Sequence, residues 1–152
     1  MDNRWAASER HARRILGRVG VLKQGHFVLK GGNHAEEYVN VRELYAYPVE
    51  LWTISALLAE RFAEKNKVID VVTGVARGGN YLALGVAYSF KHFASSELTP
   101  IRVAITEKTE DDGITFAYQH ERHIAGKRVL VVEDVTTSGK STLKLLRAVR
   151  SY

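Results

Sequence analysis

Four consecutive apolar residues, Val129-Leu130-Val131-Val132, run directly into two acids, Glu133-Asp134. The turn Val135-Thr136-Thr137-Ser138-Gly139-Lys140-Ser141-Thr142 follows, and a helix-like stretch continues from Leu143 to Val149. An unbroken apolar run of this length reads as a strand covered on both faces, which is the habit of parallel sheets. Sites in α/β sheets gather at the carboxyl ends of such strands. Two carboxylates there can hold neighbouring sugar hydroxyls. The hydroxyls and N–H groups of a helix N-terminus can cradle a phosphate against the helix dipole. Together these groups fit a ribose 5-phosphate.

The rest of the chain supports the same architecture. Val68 to Val72 reads as a strand leading through the turn Gly74 to Gly79 into a helix from Tyr81 to Phe90. Ile101 to Ile105 reads as another strand, followed by the polar segment Glu107 to Gly113 and extended residues Ile114 to Tyr118. This alternation predicts an α/β fold with a parallel central sheet flanked by helices. Upstream, Ala6 to Val19 reads as a basic amphipathic helix with Ala7, Ile15, Leu16 and Val19 as its apolar contacts. Short extended pieces surround Gly31-Gly32. Pro48 opens a helix running to Lys65, with Leu51, Ile54, Leu57, Leu58 and Phe62 as its apolar stripe. The expected organisation is one domain over 1–152, with 1–45 as an N-terminal helix and hood and 46–152 as the α/β core.

Two familiar motifs are excluded by spacing. Gly139-Lys140-Ser141 ends like an ATP-binding P-loop, but the position needing the first glycine is Asp134. Gly74-Val75-Ala76-Arg77-Gly78-Gly79 lacks the glycine a dinucleotide fingerprint requires at 76. A helix merely capped by Thr or Ser, and glycines merely permitting a tight turn, are the plain structural alternatives. The net charge of +5 raises the question of nucleic acid. The basic residues, however, cluster as Arg10, Arg13, Arg14 and Arg18 on one helix and at the C-terminal end, without interleaved aromatics, so a solvated face is expected instead. The chain has no cysteine, which suits the cytoplasm, and no apolar run long enough to span a membrane. The histidines lack metal-ligand spacing.

The stretch VLVVEDVTTSGKST, Val129 to Thr142, resembles the phosphoribosyl-pyrophosphate (PRPP) signature of type I phosphoribosyltransferases. The resemblance implies that Glu133 and Asp134 take the ribose hydroxyls, and that Thr136, Thr137, Ser138, Gly139, Lys140 and Ser141 take the 5-phosphate. Lys140 stands where a small residue is usual. The turn at 74–79 then resembles the family's pyrophosphate loop, with Arg77, Gly78 and Gly79 facing the leaving group and a cis peptide expected at Ala76–Arg77.

Ile15 to Leu22 and Gly25 to Asn40 resemble the N-terminal region of orotate phosphoribosyltransferases. By that resemblance Lys30, Tyr38 and Val39 lie beside the base. Gly31 and Asn33 depart from the family's usual serine and basic residue, and a generic hairpin accounts for the Gly-Gly turn equally well. Glu107 to Gly113 matches the start of the family's mobile loop, with Lys108 as its catalytic cation and His120, Arg122 and His123 as further helpers. Its many acids are not what a pyrophosphate clamp would contain. The resemblance also implies Mg2+ carried by PRPP, no metal held directly by the protein, and a homodimer in which loop 107–123 reaches the neighbouring subunit.

The implied reaction is transfer of ribose 5-phosphate from PRPP to orotate, in pyrimidine synthesis. Family members continue beyond the helix with further strands and an arginine for the orotate carboxylate, whereas this sequence stops at Ser151-Tyr152. A truncated product and a short relative with altered base recognition both fit. Two other readings stay open: a transferase for another base, and a non-catalytic PRPP-binding regulator.

Overall fold

The computed structural model describes residues 4–29, 32–65, 68–93 and 100–152. The chain divides into two compact units, Met1–Ile54 and Ser55–Tyr152.

In the first unit, α1 spans Arg4–Arg18. Ile15 and Val19 are buried, while Arg10, Arg13, Arg14 and Arg18 are exposed, so the basic face is the solvated one. Ala7, expected as an apolar contact, is exposed as well. Arg18 reaches Glu50 at 2.6 Å. Strands β1 (Leu22–Val28) and β2 (His34–Val39) pair antiparallel, with a register shift between Gln24 and Phe27. Gly25, at φ 148°, occupies that irregularity. A 3-10 turn (Val41–Ala46) buries Val41 and Leu44. Helix α2, Pro48–Ala63, begins on its proline and runs from the first unit into the second. Its buried face is Leu51, Ser55 and Ala59, spaced by four, whereas Leu58 of the expected stripe is 41% exposed.

The second unit is built on a three-stranded parallel sheet in the order β4-β3-β7. Its members are β3 (Val71–Gly74), β4 (Arg102–Ala104) and β7 (Val129–Val132). Helix α3 (Gly78–Phe93) follows β3, and α4 (Lys140–Arg150) follows β7. Between β4 and β7 lies an antiparallel hairpin, β5 (Thr106–Lys108) with β6 (Ile114–Phe116), and then a 3-10 segment, Ala117–His123. The polar segment read as a loop therefore begins inside a strand.

The central strand separates two apolar layers. Val72 packs with Ala59, Ala83, Val86, Ala87 and Phe90, joined by Phe62, Leu130 and Val132. Val71 packs with Val75, Ala104, Phe116, Ile124 and Leu145, joined by Val129 and Val131. Alternate residues of one strand thus serve opposite faces, as the pleat requires. Every residue of β3 is buried, but every residue of β7 is only half-buried. The expectation of a buried strand at 129–132 is corrected accordingly. Among the described strands β7 pairs on one side only, so its apolar side chains lack a neighbour on the other.

The chain leaves β3 for β4 on one side, then returns to β7 on the other. β3 and β7 therefore flank a topological switch point, the place in an α/β sheet where sites gather at the carboxyl edge.

Candidate functional site

Two loops meet at that edge, one after β3 and one after β7. The Val75 N–H donates to the Val132 carbonyl at 3.2 Å, and the Gly79 N–H donates to the Val75 carbonyl at 2.9 Å. Glycine is required at two positions of the first loop. A Cβ on Gly74 would lie 1.9 Å from the Gly79 carbonyl oxygen, and one on Gly79 would lie 2.9 Å from the Val132 oxygen. Neither obstacle is a side chain that could move aside. The peptide between Ala76 and Arg77 is cis, as the resemblance implies. Arg77 is exposed and Gly79 buried.

At the end of β7, Glu133 and Asp134 are both partly exposed, and residues 135–138 are exposed. The loop is therefore open rather than packed over. Glu133 accepts a hydrogen bond from the Thr142 hydroxyl in the first turn of α4. Burial pushes the Glu133 carboxyl above its ordinary value of 4.5. The neighbouring Asp134 charge adds to that rise, while the Thr142 hydrogen bond and the Lys108 ammonium oppose it. Lys108, exposed at the end of β5, thus acts on Glu133 from a different element.

The N-cap of α4 is Gly139, in the left-handed conformation at φ 72°, and no side chain caps the helix. The reading of this turn as a Thr- or Ser-capped helix does not hold. The hydroxyls of Thr136, Thr137 and Ser138 are left for other uses, beside first-turn N–H groups that carry the positive end of the helix dipole. Lys140 is exposed.

The acids of the 107–113 segment have a structural use that the sequence does not announce. Thr109 donates its hydroxyl to Asp111, and the Thr109 N–H meets the Gly113 carbonyl at 3.2 Å, closing the β5–β6 turn. Lys144 of α4 donates to both the carbonyl and a carboxylate oxygen of Asp112, each at 2.6 Å. His120 accepts the Ile105 N–H on Nδ1 at 3.0 Å, which leaves its proton on Nε2. His123 is held below its ordinary value by burial first, then by Arg122, Arg102 and His120.

Tyr38 and Val39 lie on β2 in the first unit, both exposed. Lys30 lies outside the described residues. Sequence reasoning assigned no role to Thr142, Asn80 or Thr106. Asn80 is the first residue after Gly78-Gly79, which is the one sequence cue to it. Among the described residues no group of three or more His, Cys, Asp or Glu could hold a metal ion, and no helix is long and apolar enough to cross a membrane.

Comparison with known proteins agrees with this geometry. Residues 40–152 match the model of the phosphoribosyl transferase domain. The orotate phosphoribosyltransferase of Caldanaerobacter subterraneus subsp. tengcongensis is 34% identical over 137 residues, covering 90% of this chain and 65% of that enzyme. That of Methanothermobacter thermautotrophicus is 31% identical, with 90% and 68% covered. The solved structure of Leishmania donovani UMP synthase superposes with a TM-score of 0.67 at 17% identity, covering 93% of this chain and 28% of that one. The chain thus spans about two-thirds of the length of the curated relatives it matches. Glycine-locked and acid-bearing loops converging beside an uncapped helix, together with a matched stretch that contains them all, lead to one conclusion: the chain belongs to the phosphoribosyl transferase domain family, with orotate phosphoribosyltransferases among its relatives.

Proposed function

We propose that this chain transfers ribose 5-phosphate from PRPP to orotate, giving orotidine 5'-phosphate and pyrophosphate. The observation that carries the proposal is the convergence of the 74–79 and 133–141 loops at one sheet edge, in a chain whose curated relatives are orotate phosphoribosyltransferases. Glu133 and Asp134 hold the ribose hydroxyls, and Thr136, Thr137, Ser138, Gly139, Lys140 and Ser141 hold the 5-phosphate. Arg77, Gly78 and Gly79 face the pyrophosphate, with Lys108 beside it. Lys30, Tyr38 and Val39 contact the base. Residues 1–45 serve as the N-terminal helix and hood of a single transferase domain.

As the anomeric C–O bond breaks, positive charge grows on the sugar ring and negative charge on the departing pyrophosphate. Donors fixed before the reaction stabilise that charge without reorganising, and removal of one such donor in comparable sites costs about a hundred- to a thousandfold in rate. The orotate ring nitrogen then bonds to the anomeric carbon, so no covalent enzyme intermediate is required. Mg2+ would arrive carried by PRPP, coordinated largely by the substrate's own hard oxygens and not held directly by the protein, and it would supply charge neutralisation at the pyrophosphate. The working form is a homodimer in the cytoplasm.

The test is a panel of bases incubated with PRPP and Mg2+, followed by pyrophosphate release. Release with orotate supports the proposal. Release with a purine or uracil instead reassigns the base. PRPP binding without release from any base identifies a regulatory PRPP sensor.

A further inference from the structure

The side chain of Asn80, in the first turn of α3, does not cap its own helix. It crosses to Thr106 at the start of β5 and makes the two hydrogen bonds that a neighbouring strand would make. Asn80 Nδ2 donates to the Thr106 carbonyl at 2.8 Å, and the Thr106 N–H donates to Asn80 Oδ1 at 3.1 Å. The Thr106 hydroxyl in turn donates to the Gly74 carbonyl at 2.6 Å and lies 3.2 Å from Asn80 Oδ1. Thr106 is 1% exposed. The Asn80 backbone N–H closes the turn onto the Arg77 carbonyl at 3.2 Å.

Two residues therefore tie three pieces of backbone together: the end of β3, the turn before α3 and the start of β5. Lys108 stands two residues beyond Thr106 on the same short strand, and its charge acts on Glu133. We propose that Asn80 and Thr106 are positioning residues, a clamp that sets Lys108 at a fixed height above the 74–79 turn. The proposal rests on the phosphoribosyl reading of that turn. The chemistry requires an amide at 80. Aspartate would keep the acceptor for the Thr106 N–H but lose the donor to its carbonyl. At 106 a hydroxyl is required, because only a donor satisfies the Gly74 carbonyl.

The test uses the full chain with PRPP and Mg2+ as the probe. Affinity is measured by calorimetry, and the rate at which an amine-acylating reagent labels Lys108 is measured with and without PRPP. The wild-type chain is expected to bind PRPP and to show Lys108 labelling slowed at least fivefold. Asn80→Asp and Thr106→Val are expected to bind PRPP within threefold of wild type, with the slowing reduced below twofold. Where orotate turns over, kcat falls about tenfold while the KM for PRPP stays within threefold. Thr106→Ser, which keeps the hydroxyl, is expected to restore both. Full protection of Lys108 in both disruptive variants, or none in a wild type that binds PRPP, overturns the clamp and leaves the phosphoribosyl reading standing. A wild-type chain that does not bind PRPP overturns that reading, and the clamp with it. If one variant fails to fold, the other decides. If both fail while Thr106→Ser folds, the pair is purely structural and the proposal falls.

Discussion

The two edges of the parallel sheet treat their carboxylates in opposite ways. At the amino edge, Asp70 accepts the Arg128 backbone N–H at 2.8 Å and two guanidinium hydrogen bonds at 2.9 Å. The Asp70 carbonyl takes the Arg102 N–H at 3.1 Å, so one residue aligns the starts of three strands. The Arg128 side chain, then its backbone N–H, hold the Asp70 carboxyl well below the usual range. At the carboxyl edge, on the same pair of strands, Glu133 is pushed the other way by burial and by its acidic neighbour. One edge satisfies its charge internally, and the other holds charge in an environment that disfavours it. The first arrangement serves folding. The second fits a site whose complement comes from outside.

Predictions can be ranked by how hard they press on this contrast. The largest effect is expected from Gly74→Ala, since a Cβ there meets backbone at 1.9 Å. It should cost more than about 4 kcal/mol or prevent folding altogether, as read by urea denaturation. A well-folded Gly74→Ala protein would show that the convergence of the loops is not fixed. Next, Asp134→Asn and Glu133→Gln should lower PRPP use by tenfold or more, about 1.4 kcal/mol in the transition state. Unchanged steady-state kinetics in both would remove these residues from the site.

Asp70→Asn should leave the KM for PRPP alone and instead flatten the acid side of the stability curve. Asp70 titrates lower in the folded chain than its ordinary 3.8. Its pairing therefore stabilises the fold above that pH and is lost progressively as the pH falls through the lower, folded value. Denaturation midpoints between pH 2 and 7 give this slope directly, and an identical slope in the variant would place the acid sensitivity elsewhere. The smallest effect carries the opposite sign. Glu133 titrates above 4.5 when folded, so its contribution is most favourable at low pH and declines as the pH rises through the raised value. Glu133→Gln should therefore be slightly more stable than wild type at pH 7, by thermal melting. A loss of stability instead would mean that the Thr142 hydrogen bond outweighs the burial.

The sequence made the parallel core legible because continuous apolar runs and glycine turns are local signals. Val71 to Gly74 and Val129 to Val132 stand where the pattern puts strands, with the first starting three residues later than expected. The half-burial of Val129 to Val132 was not legible, because strand order is set by long-range pairing that a local run does not encode. The hairpin strand at Thr106–Lys108 was hidden for a related reason. A three-residue strand ending in Glu and Lys has no apolar alternation, and it is held in part by the Asn80 side chain reaching across from another element. The acids at 110–112 looked wrong for an anion site. Asp111 and Asp112 are occupied within their own turn and by Lys144, a pairing that joins residues 32 positions apart. Glu133 and Asp134 stood out most clearly as candidates, since adjacent acids directly after an apolar strand have few purely structural uses.

Gly139 leaves α4 without a side chain over its first turn. A phosphate seated there would finish the helix as a cap does, so occupancy and helix end become one equilibrium. Such a ligand at a hundred times its dissociation constant would add about 2.7 kcal/mol to the fold. Heat resistance then becomes a gauge of how full the site is, and amide exchange in the opening turn of α4 should slow as the phosphate arrives.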